Sequence, residues 1–126
     1  MYRRTNLNLS VSHHNEIIFS NDGHWLHPLF ALEDFLDSAD YSPSELYLTD
    51  KLIGRGAAVL IHRMGIRRCH GLTVSSRGLS YFNRMSVECS YDNLVEKLDC
   101  QTELILTDDM SSEEAYAELC RRAGRP

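Results

Sequence analysis

Between residues 54 and 58 the chain reads Gly54-Arg55-Gly56-Ala57-Ala58, and this run of small residues constrains the fold more than any other feature. It lies in a segment where Ile53, Gly56 or Ala57, Leu60 and Met64 recur at helical spacing. Thr49 or Asp50 stands where such a helix would be capped, and Gly65 where it would end. Each glycine inside a helix costs about 1 kcal/mol relative to alanine. A helix that carries two of them needs a compensating contact that a Cβ would block. Either a neighbouring backbone packed closely against it or a ligand can supply that contact.

The remaining elements follow from periodicity and turn chemistry. Leu7, Leu9 and Val11 alternate with polar residues, His13-His14-Asn15 interrupts, and Ile17-Ile18-Phe19 resumes, which predicts a β-hairpin closed by Asn21-Asp22-Gly23. Leu29, Leu32, Phe35 and Leu36 predict a helix over residues 27–39 with Pro28 in its first turn, and Tyr41-Ser42-Pro43-Ser44 breaks it. Residues 66–74 predict a strand. Ser75 and Ser76 offer a cap for a short helix through Leu79, Phe82 and Met85. Residues 87–90 predict a further strand, residues 91–98 a helical turn led by Asp92, and residues 104–106 a last strand-like piece. Ser111-Ser112-Glu113-Glu114 has the capping-box spelling that opens a final helix with Ala115, Leu119 and Tyr116 facing inward. The order implies α/β architecture with a mixed sheet and helices on its faces.

The 126 residues make a single domain, 1–126, and 43% hydrophobic with 25% charged residues is an ordinary globular balance. Net charge is −5, which argues against a general attraction to nucleic acid or to anionic lipid. No apolar run reaches the length of a membrane span, and the N-terminus lacks a signal-peptide core, so a cytoplasmic location is expected. Cys69, Cys89, Cys100 and Cys120 lack paired spacing and read as free thiols in a reducing compartment. Charge is unevenly placed, however. From Lys51 to Arg84 there are seven basic residues (Lys51, Arg55, Arg63, Arg67, Arg68, Arg77, Arg84) and no acidic one. Lys51 and Arg55, one turn apart on the predicted helix, would both stand near its N-terminus, where free N–H groups already favour an anion.

Familiar catalytic signatures fail on context. His14-Asn15-Glu16 has the H-x-E spelling of zinc deaminases, yet it falls in a hairpin turn and no C-x-x-C follows, so no metal site and no cofactor are expected. Gly54-Arg55-Gly56 lacks the rest of any phosphate-loop or dinucleotide fingerprint, and there is no Gly-x-Ser-x-Gly elbow. Cys100 lies in the polar stretch Asp99-Cys100-Gln101-Thr102-Glu103. A cation nearby would favour its thiolate and make it nucleophilic; otherwise it is an inert, partly buried thiol.

The segment Thr49-Asp50-Lys51-Leu52-Ile53-Gly54-Arg55-Gly56-Ala57-Ala58 resembles the hallmark of an uncharacterised bacterial domain-of-unknown-function family, approximately A-D-K-V-x-G-K-A-A-A, with a cytidine-deaminase-like fold. Asn21-Asp22-Gly23 with His27-Pro28-Leu29 is similar to that family's hairpin and helix entry, and Cys100-Gln101-Thr102-Glu103 to its C-P-x-E-like segment. Arg55 stands where the family commonly has lysine, and Gln101 where it has proline. The resemblance spans roughly Leu7 to Leu119. It implies a three-layer α/β/α sandwich with the deaminase zinc ligands missing from the Asp50–Lys51 and Ser75–Arg77 regions, and a pocket between two helix N-termini.

The resulting expectation is a protein that binds a small, anionic, nucleotide-like molecule, with or without metal-independent catalysis. Lys51, Gly54, Arg55, Ser75 and Ser76 would bind the ligand, Asp50 and Glu103 would orient it or move protons, and Cys100 would be the nucleophile. The competing expectations are a regulatory or interaction module with a vestigial pocket, and a zinc-dependent deaminase. A homo-oligomer is compatible with all three.

Overall fold

The computed structural model describes residues 8–23, 25–96, 98, 106–107 and 109–125. Five strands form one mixed sheet: β1 (Leu9–His13), β2 (Glu16–Asn21), β3 (Leu46–Ile53), β4 (Arg68–Ser75) and β5 (Glu88–Val95), in spatial order β2-β1-β3-β4-β5. β1 pairs antiparallel with both β2 and β3, whereas β3, β4 and β5 run parallel. Four α-helices accompany them: α1 (His27–Ser38), α2 (Arg55–Arg63), α3 (Ser76–Arg84) and α4 (Ser112–Ala123). A short 3-10 turn, Pro43–Glu45, leads into β3.

The hairpin forms as the alternation predicts, but its turn lies elsewhere. His14 and Asn15 join β1 to β2 with φ of 51° and 70°, the two positive values that let a two-residue loop follow the natural strand twist. Asn21-Asp22-Gly23 instead ends β2. There Asn21 Oδ1 accepts the Gly23 N–H at 2.7 Å, turning the chain toward α1.

The largest correction concerns residues 46–54. Leu46 and Leu48 are buried and alternate with half-buried Tyr47 and Thr49, a period of two that continues through Asp50 and makes this the central strand. Thr49 and Asp50 therefore cap nothing, and Lys51 and Arg55 do not share a helix face. The helix begins only at Arg55, with Gly54 as its extended N-cap residue. From Arg55 to Ile61 every residue of α2 is buried, the condition of a helix wrapped by protein on all sides. It touches α3 on one flank and α1 and α4 on the other. Gly65 closes it with φ of 89°, as expected of a helix-terminating glycine.

The start of α2 is in close backbone contact with a neighbouring helix. A Cβ placed on Gly78 would stand 3.0 Å from both the carbonyl carbon and the oxygen of Gly54, so the first turn of α3 rests directly on the start of α2. Ser75 caps α3 by accepting the Gly78 N–H at 3.0 Å, and the Ser111–Glu114 capping box opens α4 with bonds of 2.8 and 3.0 Å. β5 runs on to Val95, replacing the helical turn predicted after Tyr91. Of the strand-like piece at residues 104–106, Leu106 is described and fully buried, and the other two lie outside the described residues.

Leu9, Val11, Leu48 and Cys69 on one sheet face join α1, α2, α3 and α4 residues in a single core cluster. The opposite parity, Ser10, Ser12, Tyr47, Thr49 and His70, is half-buried and mostly polar. Near the C-terminal ends of β3 and β4 this alternation slips by one residue. Lys51 and Leu52 are both exposed before buried Ile53, and in β4 buried Gly71 is followed by buried Val74. The ladder partners keep step through the slip, so both strands shift phase together. A Cβ on Gly71 would collide with the Val74 and Ile53 side chains, 2.5 and 3.0 Å away, which fixes glycine there.

Gly78→Ala is expected to destabilise the domain by about 1–3 kcal/mol, the usual cost of overpacking, because the obstructing atoms are backbone rather than a movable side chain. Urea unfolding midpoints of the two proteins measure this; an unchanged midpoint would mean the helix starts are not in contact.

Candidate functional site

Parallel strands present their C-terminal ends to the N-termini of the helices that follow them, and the crevice outside those ends is where open α/β sheets bind ligands. Here Ile53 and Val74 are ladder partners, so Gly54 and Ser75 leave neighbouring strands side by side and α2 and α3 begin together. Of the residues expected from sequence, Gly54, Arg55, Ser75 and Ser76 meet at this edge. Asp50 sits further down β3, and Lys51 beside it is solvent-exposed. Cys100 and Glu103 lie outside the described residues.

Arg55 is 2% exposed, with its guanidinium carbon 5.4 Å from the centroid of the Tyr81 ring. A buried cation in the first turn of a helix stands at the positive end of the helix dipole, the end that favours anions. Ser75 is fully buried and its oxygen is engaged in capping, while Ser76 Oγ donates to the Val95 carbonyl at 3.3 Å. Ser75 thus fixes the start of α3, and Ser76 ties that start to β5.

Asp50 lies in the ladder row Leu9–Asp50–Gly71, on the same face as Leu48 and Cys69. Desolvation in this row pushes its carboxyl up to about 7, against the opposing effect of the Lys51 N–H that it accepts at 2.8 Å. The group therefore titrates near neutrality. Cys69 and Cys89 are partners across β4 and β5. The Cys69 thiol is held above its ordinary range, first by its hydrogen bond to Cys89, then by burial and by Asp50. Cys89 is correspondingly lowered as the acceptor in that bond. These thiols, not singled out by sequence, become visible only once the register sets them opposite each other.

The basic run does not form one surface. α2 runs back along the sheet, so Arg63, Arg67 and Arg68 end at the opposite edge from Arg55 and Arg77. Arg63 stacks 4.0 Å over Tyr116, Arg68 lies 5.8 Å from Tyr47, Arg84 is 5.5 Å from Tyr81, and Arg77 donates to the Leu106 carbonyl. Folding thus divides a contiguous charge block between two ends of the molecule. His70, Ser90 and Asp92 form another cluster that sequence reasoning missed. Nδ1 of His70 is 2.7 Å from Ser90 Oγ, and Nε2 is 3.2 Å from Asp92 Oδ1. These groups lie on the solvent-facing sheet surface, where water screens developing charge, and the arrangement ties β4 to β5.

The sequence profile described as Domain of unknown function (DUF1893), TM1506, matches residues 2–118. The chain belongs to this family. A crystal structure of a DUF1893 family protein (TM1506) from Thermotoga maritima superposes with a TM-score of 0.83 at 20% identity, covering 94% of this chain and 82% of that one. That likeness establishes a shared fold. No curated protein matches significantly. Among the described residues of this DUF1893 domain, no helix is long and apolar enough to cross a membrane.

Because Asp50 binds its proton more tightly in the folded than in the unfolded chain, it lowers stability progressively as pH rises from about 4 to about 7. Asp50→Asn removes this contribution and retains an acceptor for the Lys51 N–H. The variant should match the parent near pH 4 and exceed it above pH 7, by at most about 4 kcal/mol. Urea midpoints across pH 4–8, compared between the two proteins, test this.

Proposed function

We propose that this DUF1893 domain binds a small anionic ligand of phosphate or nucleotide type at the C-terminal edge of β3 and β4. The observation that carries the reading is buried Arg55 at the junction of two helix starts. The Arg55 guanidinium and the positive ends of two helix dipoles, each worth about half a charge, stand together there. Such a centre is complementary to a phosphate-sized anion. Lys51, exposed on β3 two residues before Ile53, supplies the outer cation, and Gly54 contributes the backbone at the start of α2. Asp50, whose carboxyl titrates near neutrality in the row beneath this edge, is the proton-carrying group of this reading. Cys100 and Glu103 keep their assigned roles as nucleophile and second acid–base group, should chemistry follow binding. Cytoplasmic residence and independence from a cofactor belong to the same reading.

The cytidine-deaminase-like architecture is part of this proposal. It rests on the paired helix starts beside a mixed five-stranded sheet; a three-layer sandwich further needs a second helical layer, and the described helices form a single contiguous one. In a deaminase these helix starts would carry zinc ligands. Here they are Gly54-Arg55 and Ser75-Ser76, none of which is a usual zinc ligand. Among the described residues, no group of zinc ligands stands at this edge.

A second reading, a protein-interaction module, draws on Leu52, Leu72 and Leu94, which are 56%, 38% and 43% exposed near the same strand ends. Thermal-shift measurements with inorganic phosphate and a panel of nucleoside phosphates separate the two readings. Stabilisation of the parent that disappears in Lys51→Ala is expected. Failure of every anion to stabilise the parent, or equal stabilisation of the variant, would remove the anion site. Binding that weakens steeply with salt would point to a polyanion contact instead.

A further inference from the structure

At the other edge of the sheet, the hairpin tip meets the 3-10 turn that precedes β3. His13 is the last residue of β1, His14 the first of the turn, and Glu45 the last before β3. Their candidate ligand atoms all lie within 4.8 Å of one another, with His13 Nε2 3.2 Å from Glu45 Oε1. The two imidazoles stack with centroids 3.9 Å apart, and the Tyr41 ring meets the His13 ring edgewise at 5.1 Å. A cleft of about 310 Å³ opens beside them, lined by Ser12, His14, Asn15, Glu45, Tyr47 and Arg68.

We propose that His13, His14 and Glu45 bind one first-row transition-metal ion of the zinc type at the mouth of this cleft. Two imidazoles and a carboxylate form a borderline donor set, suited to Zn²⁺, Co²⁺ or Ni²⁺ and poorly suited to Mg²⁺ or Ca²⁺, which prefer all-oxygen shells. Three protein ligands leave at least one coordination position for water or an exogenous molecule, and the cleft supplies the space. Metal–ligand distances of roughly 2.0–2.2 Å require the present cluster to contract. Imidazole lone pairs lie in the ring plane, so two stacked rings cannot both address one ion, and His14 must turn out of the stack. Exposed His14 and exposed Glu45 are free to make that adjustment, while half-buried His13 is held against Tyr41.

The backbone at His14 points the same way. A φ of 51° is one that glycine adopts with less strain than histidine, and the hairpin would close as well with glycine or asparagine. Histidine there adds an imidazole beside the one on His13. The cluster also joins two segments that the chain separates by a strand, a helix and a turn, so a bound ion would clip the hairpin tip to the entrance of the central strand. Glu16, the ladder partner of His13, does not belong to the cluster, and Glu45 takes the acidic position that the H-x-E spelling would assign to it.

Titration of the metal-free full-length protein with ZnCl₂ by calorimetry, and with CoCl₂ by visible absorption, tests the site. The parent is expected to bind one ion per chain, with cobalt bands of a nitrogen–oxygen shell. His14→Asn, which suits the turn and so should fold at least as well as the parent, is expected to bind at least tenfold more weakly. Glu45→Gln should weaken binding similarly. The unfolding midpoint of each metal-free variant confirms that its fold is intact. No saturable one-to-one binding by the parent would overturn the proposal. Undiminished binding by His14→Asn would do so as well, placing the metal elsewhere, for example on the Cys69–Cys89 thiols.

Discussion

The contact between the first turn of α3 and the carbonyl of Gly54 is the constraint on which the arrangement depends. The two helix starts approach as closely as they do because Gly78 lacks a Cβ where they touch. With the helix starts joined, α2 is enclosed from Arg55 to Ile61, and its small residues let α1, α3 and α4 crowd against it. Arg55 is buried as a consequence of its place at that junction, which couples the electrostatics of the candidate site to the packing of the core.

Much of the fold was legible because local chemistry and tertiary context agreed. Pro28 in the first turn of α1, Ser75 as the cap of α3, the Ser111–Glu114 capping box and Gly65 after α2 all act as their residue types suggest. The failure at residues 46–54 has a physical origin. Thr49, Asp50 and Gly54 are all cap-forming residues, and spacing alone could not say which of them ended the strand. Pairing with β1 and β4 decided it. The same partners desolvate Asp50, an effect invisible without the ladder. Tyr91 to Val95 extend a strand through pairing with β4, where isolated turn signals suggested helix.

The candidate site was legible in part. The small-residue run marked the edge where α2 and α3 begin together, but the Lys51–Arg55 pairing assumed one helix where a strand and a helix meet. Proximity in sequence also overstated the basic cluster. A crossover helix carries its two ends to opposite edges of a sheet, so a charge block spanning β3, α2 and β4 is divided by the topology itself. The divided charge contributes differently at each end: Arg55 and the helix dipoles favour anions at one edge, whereas Arg68 shares the other with two imidazoles and a carboxylate.

The concerted phase slip in β3 and β4 carries a further consequence. Beyond Asp50 and Gly71 the inner and outer surfaces of the two strands are exchanged, so each strand is correct only while its neighbour is offset by the same amount. Shortening or lengthening one of them by a residue would leave its upper half facing the wrong way against an unaltered companion. A change in the length of either strand would therefore have to be matched in the other, whereas the connecting loops can absorb one alone.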